Sequence, residues 1–436
     1  MDTQLADDAL AITRDLIRFA TTNTGDERST GERAAAEYVV GLLEDLGLEP
    51  GYYESEPGRA SVVVRIEGSD ATKPALVLHG HLDVVPADGT EWDADPFAAE
   101  IRDGELWGRG AVDMKDMDGM ILSVLRAWHR AGIKPGRDLV VAFFADEEAG
   151  GRLGSHWLVT HHPELFHGAS QAVSEVGGFS VSVAGQRAYL VQTAEKGIAW
   201  LRLISRGTPG HGSAINTDNA VKHLVEALTR IAAHPWPVRL TPTVRALLQG
   251  ISELTGLRAD LDDPGALHQL FDALGPAQRF VAASTSTVAN PTSLAAGGKV
   301  NVIPSSAVGT VDMRPLPGAA EEALALVKAL AGPSVRVELI NQDRALEAPF
   351  DTPVVDAMRL ALDAADPTCV VLPYMLAGGT DGKALDRLGI KSYGFVPLKL
   401  PAGFDFTAMF HGVNERVPVD SLRWGAGVLE HFLRNV

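Results

Sequence analysis

The sequence of 436 residues predicts an α/β protein in which a smaller α+β domain is inserted into a discontinuous larger domain. The chain is too long for one ordinary hydrophobic core. Helical and strand patterns alternate in its first part, change near Thr193 and return after Asp351. We therefore expect residues 1–192 and 343–436 to form the larger domain, a mixed sheet flanked by helices, and residues 193–342 to form the inserted domain.

The first part of the chain carries the patterns of a layered α/β sheet. Apolar residues recur at helical spacing over Leu5–Phe19, and Ser29 with Glu32 forms a capping-box pattern that predicts a helix reaching Leu46. Short apolar runs rich in β-branched residues predict buried strands. These runs are Ser61–Ile66, Ala75–His79 and Leu139–Ala145.

The middle of the chain has a different texture. Strand and helix patterns follow one another as in a small α+β domain, interrupted by a helical stretch from Pro235 to Pro291. The predicted elements are a strand at Ile198–Ser205, a helix at Asn219–Ala232, a strand at Ala307–Met313, a helix at Ala320–Leu330 and a strand at Val335–Ile340.

Composition excludes several classes of protein. A formal net charge of −18, from 56 acidic and 38 basic residues, argues against partners such as nucleic acid or anionic membrane. The acidic, amphipathic N-terminal stretch predicts neither a signal peptide nor a membrane anchor. Cys369 is the only cysteine, which leaves no disulfide or thiolate metal cluster and favours a cytoplasmic location.

Histidine and carboxylate side chains follow the predicted strands, where α/β proteins place ligands. His81 and Asp83 follow the second apolar run; the imidazole could bind a metal while the aspartate accepts the other ring N–H. An ordinary turn is the alternative interpretation. Glu147 and Glu148 directly follow the third run, and adjacent acids at a buried strand end are costly unless cations neutralise them. A solvated turn is the plainer reading of that pair alone.

Three further residues complete a possible ligand set. Asp113 precedes a predicted helix, where an N-cap is the commoner role; Glu175 follows a possible strand, and His411 lies far downstream. Histidines and carboxylates without thiolates suit Zn²⁺, Co²⁺ or Mn²⁺.

Nine short motifs occur in an order that resembles one family of metallohydrolases, that of aminoacylase 1, succinyl-diaminopimelate desuccinylase, acetylornithine deacetylase and carboxypeptidase G. The resemblance covers essentially the whole chain. The motifs are GHLDVVP, GRGAVDMKD, ADEEAGG, SEVGG, GTPGHGS, NVIP, DMRPLPG, GGTDGK and FHGVNE. The resemblance implies a dinuclear zinc-hydrolase catalytic domain with an inserted lid and dimerisation domain.

The resemblance also implies how the metal ligands are shared. Asp113 resembles the carboxylate that bridges two divalent ions, zinc in the first instance, with cobalt or manganese possible. His81 and Glu175 resemble the further ligands of one ion, and Glu148 and His411 those of the other. The peptide bond that follows Asp113 is often cis in this family.

Catalytic roles follow from the same resemblance. Glu147 is similar to the family's general base, and Asp83 to the residue that orients His81. His211 resembles a histidine that reaches the active site of a partner subunit and stabilises the oxyanion, with Asn301 beside it. If His211 acts in this way, the working unit is a homodimer. A turn or capping histidine is its plainer reading.

Contacts to a substrate carboxylate are implied for three residues. Arg314 is similar to the clamp for this group, although a paired cation at a strand edge is the alternative, and Gly379 and Thr380 would add backbone and hydroxyl contacts. The expected activity is hydrolysis of an amide bond in a small, carboxylate-bearing substrate, with an N-acyl-amino-acid deacylase favoured over a dipeptidase or carboxypeptidase. A non-catalytic metal-binding homologue is a further alternative, against which the presence of Glu147 counts.

Overall fold

The computed structural model describes residues 2–257, 260–261 and 263–436. Its strands are β1 Gly51–Glu54, β2 Ala60–Ile66, β3 Ala75–His81, β4 Glu100–Arg102, β5 Glu105–Trp107, β6 Leu139–Phe144, β7 Ala169–Ser174, β8 Phe179–Val183, β9 Gln186–Glu195, β10 Ile198–Arg206, β11 Gly210–His211, β12 Val288–Ala296, β13 Val302–Ile303, β14 Ser306–Arg314, β15 Val335–Asp343, β16 Leu346–Glu347, β17 Val370–Leu376, β18 Lys391–Gly394 and β19 Arg416–Pro418.

Helices connect and cover these strands. They are α1 Thr3–Arg18, α2 Arg33–Glu44, α3 Lys115–Ala131, α4 Ser155–His161, α5 Ala220–Ala232, α6 Pro242–Thr255, α7 Pro264–Asp272, α8 Gln278–Val281, α9 Ala320–Ala331, α10 Pro353–Ala365, α11 Gly382–Asp386 and α12 Val419–Asn435. Within the described ranges, no helix combines the length and apolar character needed to cross a lipid bilayer.

The largest sheet is mixed, as the sequence predicts. Its order is β1-β2-β6-β3-β7-β18-β9-β16, and β8 and β17 also pair with β9. Strand β3 is parallel to both of its neighbours, β6 and β7, whereas β2 is antiparallel to β6. Since β17 and β18 come from the last part of the chain, this part completes the sheet begun by the first.

The N-terminal helices illustrate one confirmed prediction and one error. Helix α1 buries its apolar face and packs against α3 and α12. Helix α2, however, begins at Arg33 with no side-chain cap, so the predicted capping box is wrong. Ser29 Oγ accepts from the backbone N–H of Thr24 at 3.0 Å, and the Glu32 carboxylate is buried against Arg59 at 2.6 Å. A contact distant in sequence has replaced a local one.

A second hydrophobic core belongs to the antiparallel sheet β12-β14-β10-β15. Leu201 and Leu203 on β10 and Val311 on β14 pack against the buried faces of α5 and α9. Alternation along β10 fits this arrangement, because one face of an antiparallel strand is buried and the other is not. This is the α+β unit that the sequence pattern predicts.

The helical stretch between the halves of that unit packs elsewhere. Buried side chains of α6, such as Leu247 and Ile251, and Leu270 of α7 belong to the larger core, and α6 lies against β17. Part of the span 193–342 therefore contributes to the core of the larger sheet. The division at 192/193 and 342/343 stays a prediction.

Candidate functional site

Five side chains converge at one edge of the large sheet. His81 ends β3, Glu175 follows β7, and Glu148 lies in the 3₁₀ turn Glu147–Ala149 after β6. Because β3 is parallel to β6 and β7, the three strands deliver these residues to the same edge. Asp113 precedes α3, and His411 lies between β18 and β19.

The five side chains form two triads that share Asp113. Within each triad, His81–Asp113–Glu175 and Asp113–Glu148–His411, the possible ligand atoms lie within 4.8 Å of one another. His81 Nε2 is 3.1 Å from Asp113 Oδ1 and 3.7 Å from Glu175 Oε2. His411 Nε2 is 3.2 Å from Asp113 Oδ2 and 3.0 Å from Glu148 Oε2. Each oxygen of Asp113 thus faces one histidine, as a bridging carboxylate requires.

The charge of the cluster favours cations. Burial raises the pKa of Glu175 to about 8, and burial followed by the charge of Asp113 raises the pKa of Glu148. Hydrogen bonds to Asp113 and Glu148 raise the pKa of His411 to about 10, and hydrogen bonds to Asp113 and Glu175 hold the pKa of His81 well above its usual value despite burial. The carboxylates attract positive charge to the imidazoles, so the donor set fits two divalent ions in place of those protons.

The backbone of Asp83 fixes the ring of His81. The ring Nδ1 lies 2.9 Å from the Asp83 carbonyl oxygen, whereas the Asp83 carboxylate is 3.7 Å away. Since a carbonyl only accepts, Nδ1 carries the proton and Nε2 is free to bind a metal. Asp83 is thus the partner of the ring N–H, through its backbone carbonyl and not through its carboxylate.

The carboxylate of Asp83 instead holds the turn that bears the two glutamates. It accepts from the backbone N–H groups of Glu147 and Glu148, each at 3.1 Å, and from Asn23 Nδ2 at 2.8 Å. The Glu147 side chain lies beside the cluster: burial and the nearby charge of Glu175 hold its pKa well above the usual value. A carboxylate held next to a possible metal pair is placed to accept a proton from a water bound there.

The peptide bond between Asp113 and Met114 is cis, in agreement with the expectation from the resemblance. Two acids near the cluster were not singled out from the sequence. Asp381 is buried and accepts from Ser155 Oγ at 2.5 Å, and its charge contributes to the raised pKa of Glu175. Glu415 is fully buried beside the Asp113 segment. Both lie within the quoted motifs, Asp381 in GGTDGK and Glu415 in FHGVNE. Their place in these motifs was the only signal in the sequence that could have identified them.

Three of the remaining predicted residues lie outside the large sheet: Arg314 ends β14, His211 ends β11, and Asn301 precedes β13, which pairs with β11 in a separate two-stranded sheet. His211 is exposed and contacts Ser213 Oγ at 2.8 Å. Asn301 is also exposed, and its carbonyl accepts from the N–H of Gly212 at 2.9 Å, so the two predicted oxyanion residues are neighbours. Arg314 makes a paired contact with Asp312, with Nε 2.7 Å from Oδ1.

Gly379 and Thr380 lie in the loop that precedes α11. The Thr380 hydroxyl donates to Glu195 Oε1 at 2.6 Å, and its N–H donates to Glu195 Oε2 at 3.2 Å. Lys383 Nζ lies 3.1 Å from the same carboxylate. Thr380 is therefore already occupied by an internal acceptor in this conformation. A Cβ on Gly379 would lie 2.4 Å from Lys383 Cε, so the loop is closely packed here.

Comparisons with known proteins agree with this arrangement. The mouse N-fatty-acyl-amino acid synthase/hydrolase PM20D1 is 28% identical over 388 residues, which cover 85% of this chain and 76% of that protein. Mouse aminoacylase-1 is 26% identical over 418 residues, covering 92% and 89%. The M20 family metallo-carboxypeptidase Sso-CP2 of Sulfolobus solfataricus superposes with a TM-score of 0.73 at 17% identity, covering 98% of this chain and 99% of that one.

The match to a family model is equally extensive. The model of peptidase family M20/M25/M40 matches residues 77–435, a range that contains both triads and Glu147. The resemblance read from the nine motifs is thereby confirmed, and the chain belongs to peptidase family M20/M25/M40.

Proposed function

We propose that this protein is a metal-dependent amidohydrolase that acts on N-acyl amino acids. The observation that carries the proposal is the sharing of Asp113 by two triads, with Glu147 beside them. The curated relatives named above include an aminoacylase and an N-fatty-acyl-amino acid synthase/hydrolase, which favours deacylation over peptide cleavage. His81, Asp113 and Glu175 would hold one divalent ion, and Asp113, Glu148 and His411 the other; zinc suits these ligands best.

The residues of the chain divide the reaction between them. Two ions bound there would polarise the scissile carbonyl and acidify the attacking water. Glu147, held at the edge of the cluster, would accept a proton from that water and pass it to the leaving nitrogen. Asp83 keeps Glu147 in place through its contact with the turn N–H groups.

The proposed contacts to substrate come from β14 and from the loop before α11. Arg314 would bind the substrate carboxylate through its planar guanidinium, which requires exchange of its present partner Asp312. Gly379 and Thr380 would add contacts to the same group. For Thr380 this requires release from Glu195.

We also infer a homodimer in the cytoplasm. His211 is exposed, and the large apolar side chains Ile215, Val300 and Val302 around it are exposed as well. A second copy that covers this surface would bury them and place His211 against a neighbouring active site. The single cysteine, Cys369, fits a reducing compartment.

Hydrolysis assays with chelator-stripped protein test the proposal. A panel of N-acyl amino acids and dipeptides is incubated with the stripped chain after addition of Zn²⁺, Co²⁺ or Mn²⁺. We expect activity to return with about two ions per chain, with N-acyl amino acids preferred. Preference for dipeptides would replace the deacylase by a peptidase. A chain that binds metal and cleaves nothing on the panel would favour the non-catalytic alternative.

A further inference from the structure

Glu415 lies next to the backbone that carries Asp113, the aspartate shared by the two triads. It lies four residues after His411 and is fully buried. Its Oε1 accepts from three backbone N–H groups of the segment that leads to the shared aspartate: those of Gly110 at 3.0 Å, of Val112 at 2.8 Å and of Asp113 at 3.2 Å. One carboxylate oxygen therefore fixes the backbone on which the Asp113 side chain is mounted.

The other oxygen of Glu415 joins this segment to a cation. Arg109 Nη1 donates to Glu415 Oε2 at 2.6 Å, and the pair is buried. Arg109 Nη2 lies 3.4 Å from two carbonyl oxygens, those of Pro86 and His411, and the guanidinium lies over the ring of Trp92 at 5.2 Å. Arg109 thus reaches from the Asp113 segment to the backbone of His411.

The His411 segment needs such support. His411 has a φ of 57°, in the left-handed region that is unfavourable for a residue with a side chain. Its ring is about half exposed, so packing of the ring contributes less than it does for the fully buried His81. Contacts to the backbone, such as that of Arg109 with the His411 carbonyl oxygen, therefore help to hold His411 in position.

We propose that Glu415 is a positioning residue that, together with Arg109, holds Asp113 and His411 in the geometry required for two metal ions. The assignment rests on the proposed metal-dependent function. Groups that hold metal ligands in place commonly change metal affinity by about 10–100-fold when they are removed. Glu415 acts on two ligands from two distant parts of the chain, so its loss should loosen both ions.

Titration of the metal-stripped chain with Co²⁺, followed by the absorption of the bound ion, tests this assignment. We expect Glu415→Ala to weaken binding of both equivalents by roughly 10–100-fold and to alter the Co²⁺ spectrum. Glu415→Gln keeps an oxygen that can accept from the three N–H groups, so it should recover part of the affinity. If Glu415 contributed only to the stability of the fold, the Co²⁺ spectrum would be unchanged and Glu415→Gln would recover no metal affinity.

Asp138→Ala provides a matched control. Asp138 also accepts a backbone N–H, that of Gly68 at 2.9 Å, and pairs with Arg65 at 2.8 Å, but it precedes β6 whereas Glu147 follows this strand. We expect this variant to bind both equivalents as the unmodified chain does. Equal loss in Asp138→Ala and Glu415→Ala would overturn the assignment, because the effect would then be general.

Other outcomes separate the two proposals. If the unmodified chain takes up two Co²⁺ ions and a folded Glu415→Ala variant binds them equally well, the positioning assignment is wrong and the proposed function stands. If the unmodified chain takes up no metal, the proposed function fails and the assignment fails with it. Should Glu415→Ala not fold, Arg109→Met removes the link to His411 while leaving Glu415; weakened Co²⁺ binding is expected, and unchanged binding would overturn the assignment.

Discussion

The edge of the large sheet, which carries the two triads, differs from the part of the chain between residues 193 and 342. The predicted residues contact one another at the first and have other partners at the second. At the edge of the large sheet, His81, Asp113 and Glu175 are buried and in mutual contact. Between residues 193 and 342, His211 and Asn301 are exposed, and Arg314 is engaged by an acid of its own strand. The chain alone thus assembles the proposed metal centre. The proposed contacts to substrate, in contrast, would require Arg314 and Thr380 to leave their present partners and a further surface to cover His211.

This difference separates two kinds of substitution. Residues at the metal-binding edge should affect chemistry or metal content without any dependence on a second copy. Substitution of His211 or Arg314 should change turnover or substrate affinity and leave the metal content unchanged.

Replacement of the proposed base should have the largest effect. Glu147→Gln removes a proton acceptor and leaves all five proposed ligands, so turnover should fall by about 10²–10⁴ while two metal ions are retained. Steady-state kinetics and metal analysis of the same preparation measure both quantities. Glu148→Gln is the comparison variant, which should lose metal instead. Full activity in Glu147→Gln would eliminate this residue as the base.

A smaller loss of turnover is expected when His211, the proposed donor to the oxyanion, is replaced. His211→Ala should lower turnover by about 10²–10³, the usual effect of removing one donor to a developing oxyanion, without loss of metal. His268→Ala, at another exposed histidine, is the control and should have normal turnover. If His211 serves a partner subunit, mixing His211→Ala with Glu147→Gln should restore activity through mixed dimers. Failure of such mixtures to recover would indicate that His211 acts within its own chain.

The third effect concerns substrate affinity. Arg314→Met should raise KM by about 10–100-fold, the range expected for a lost hydrogen bond to a charged group. The kinetic measurement should include a substrate analogue whose carboxylate is replaced by a neutral amide. Its KM should be the same for both proteins. If the analogue and the carboxylate substrate are affected equally, Arg314 is not the carboxylate clamp.

The smallest effect is expected at the junction of the two regions, and it concerns stability and not turnover. Lys196 follows β9, is fully buried and donates to the carbonyls of Ala283 and Ser286. Burial, followed by the charge of Arg314, lowers its pKa to about 7. Because the unfolded chain then binds more protons, this group contributes stability above its unfolded pKa that is lost as the pH falls towards 7.

Urea unfolding of the chain and of Lys196→Met at several pH values between 7 and 10.5 measures this contribution. The free energy of unfolding of the unmodified chain, relative to that of the variant, should rise with pH across this window. Lys222→Met, at a lysine in an exposed ion pair, is the control and should show no such trend. A difference between chain and Lys196→Met that is independent of pH would contradict the lowered pKa.

Local patterns in the sequence predict much of the fold. Alternation and apolar runs place β2, β3, β6 and β10 within one or two residues, because burial of one or both faces of a strand leaves a direct trace in the sequence. The acids and histidines after these strands could be expected at one edge for the same reason. How these residues would be shared between two ions was implied only by the resemblance to the metallohydrolase family.

Contacts between distant segments could not be predicted in this way. The pairing of Glu32 with Arg59 overrides a plausible capping box, and the contact of Glu415 with the Asp113 segment joins residues about three hundred positions apart. Helix α6 has an amphipathic pattern that identifies a buried face but not the core that covers it. In each case the sequence specifies a side chain, while the partner depends on the assembled fold.

The two oxygens of Asp113 face different histidines, and this has a consequence for metal supply. In the proposed metal-bound state, an ion at one triad would hold the shared carboxylate in the orientation that the other triad requires, while its positive charge would oppose entry of the second ion. The strength of uptake of the second ion would therefore depend on the negative charge that the carboxylates supply between the two positions. A substitution that removes one of these charges would change the supply of metal at which the chain becomes active.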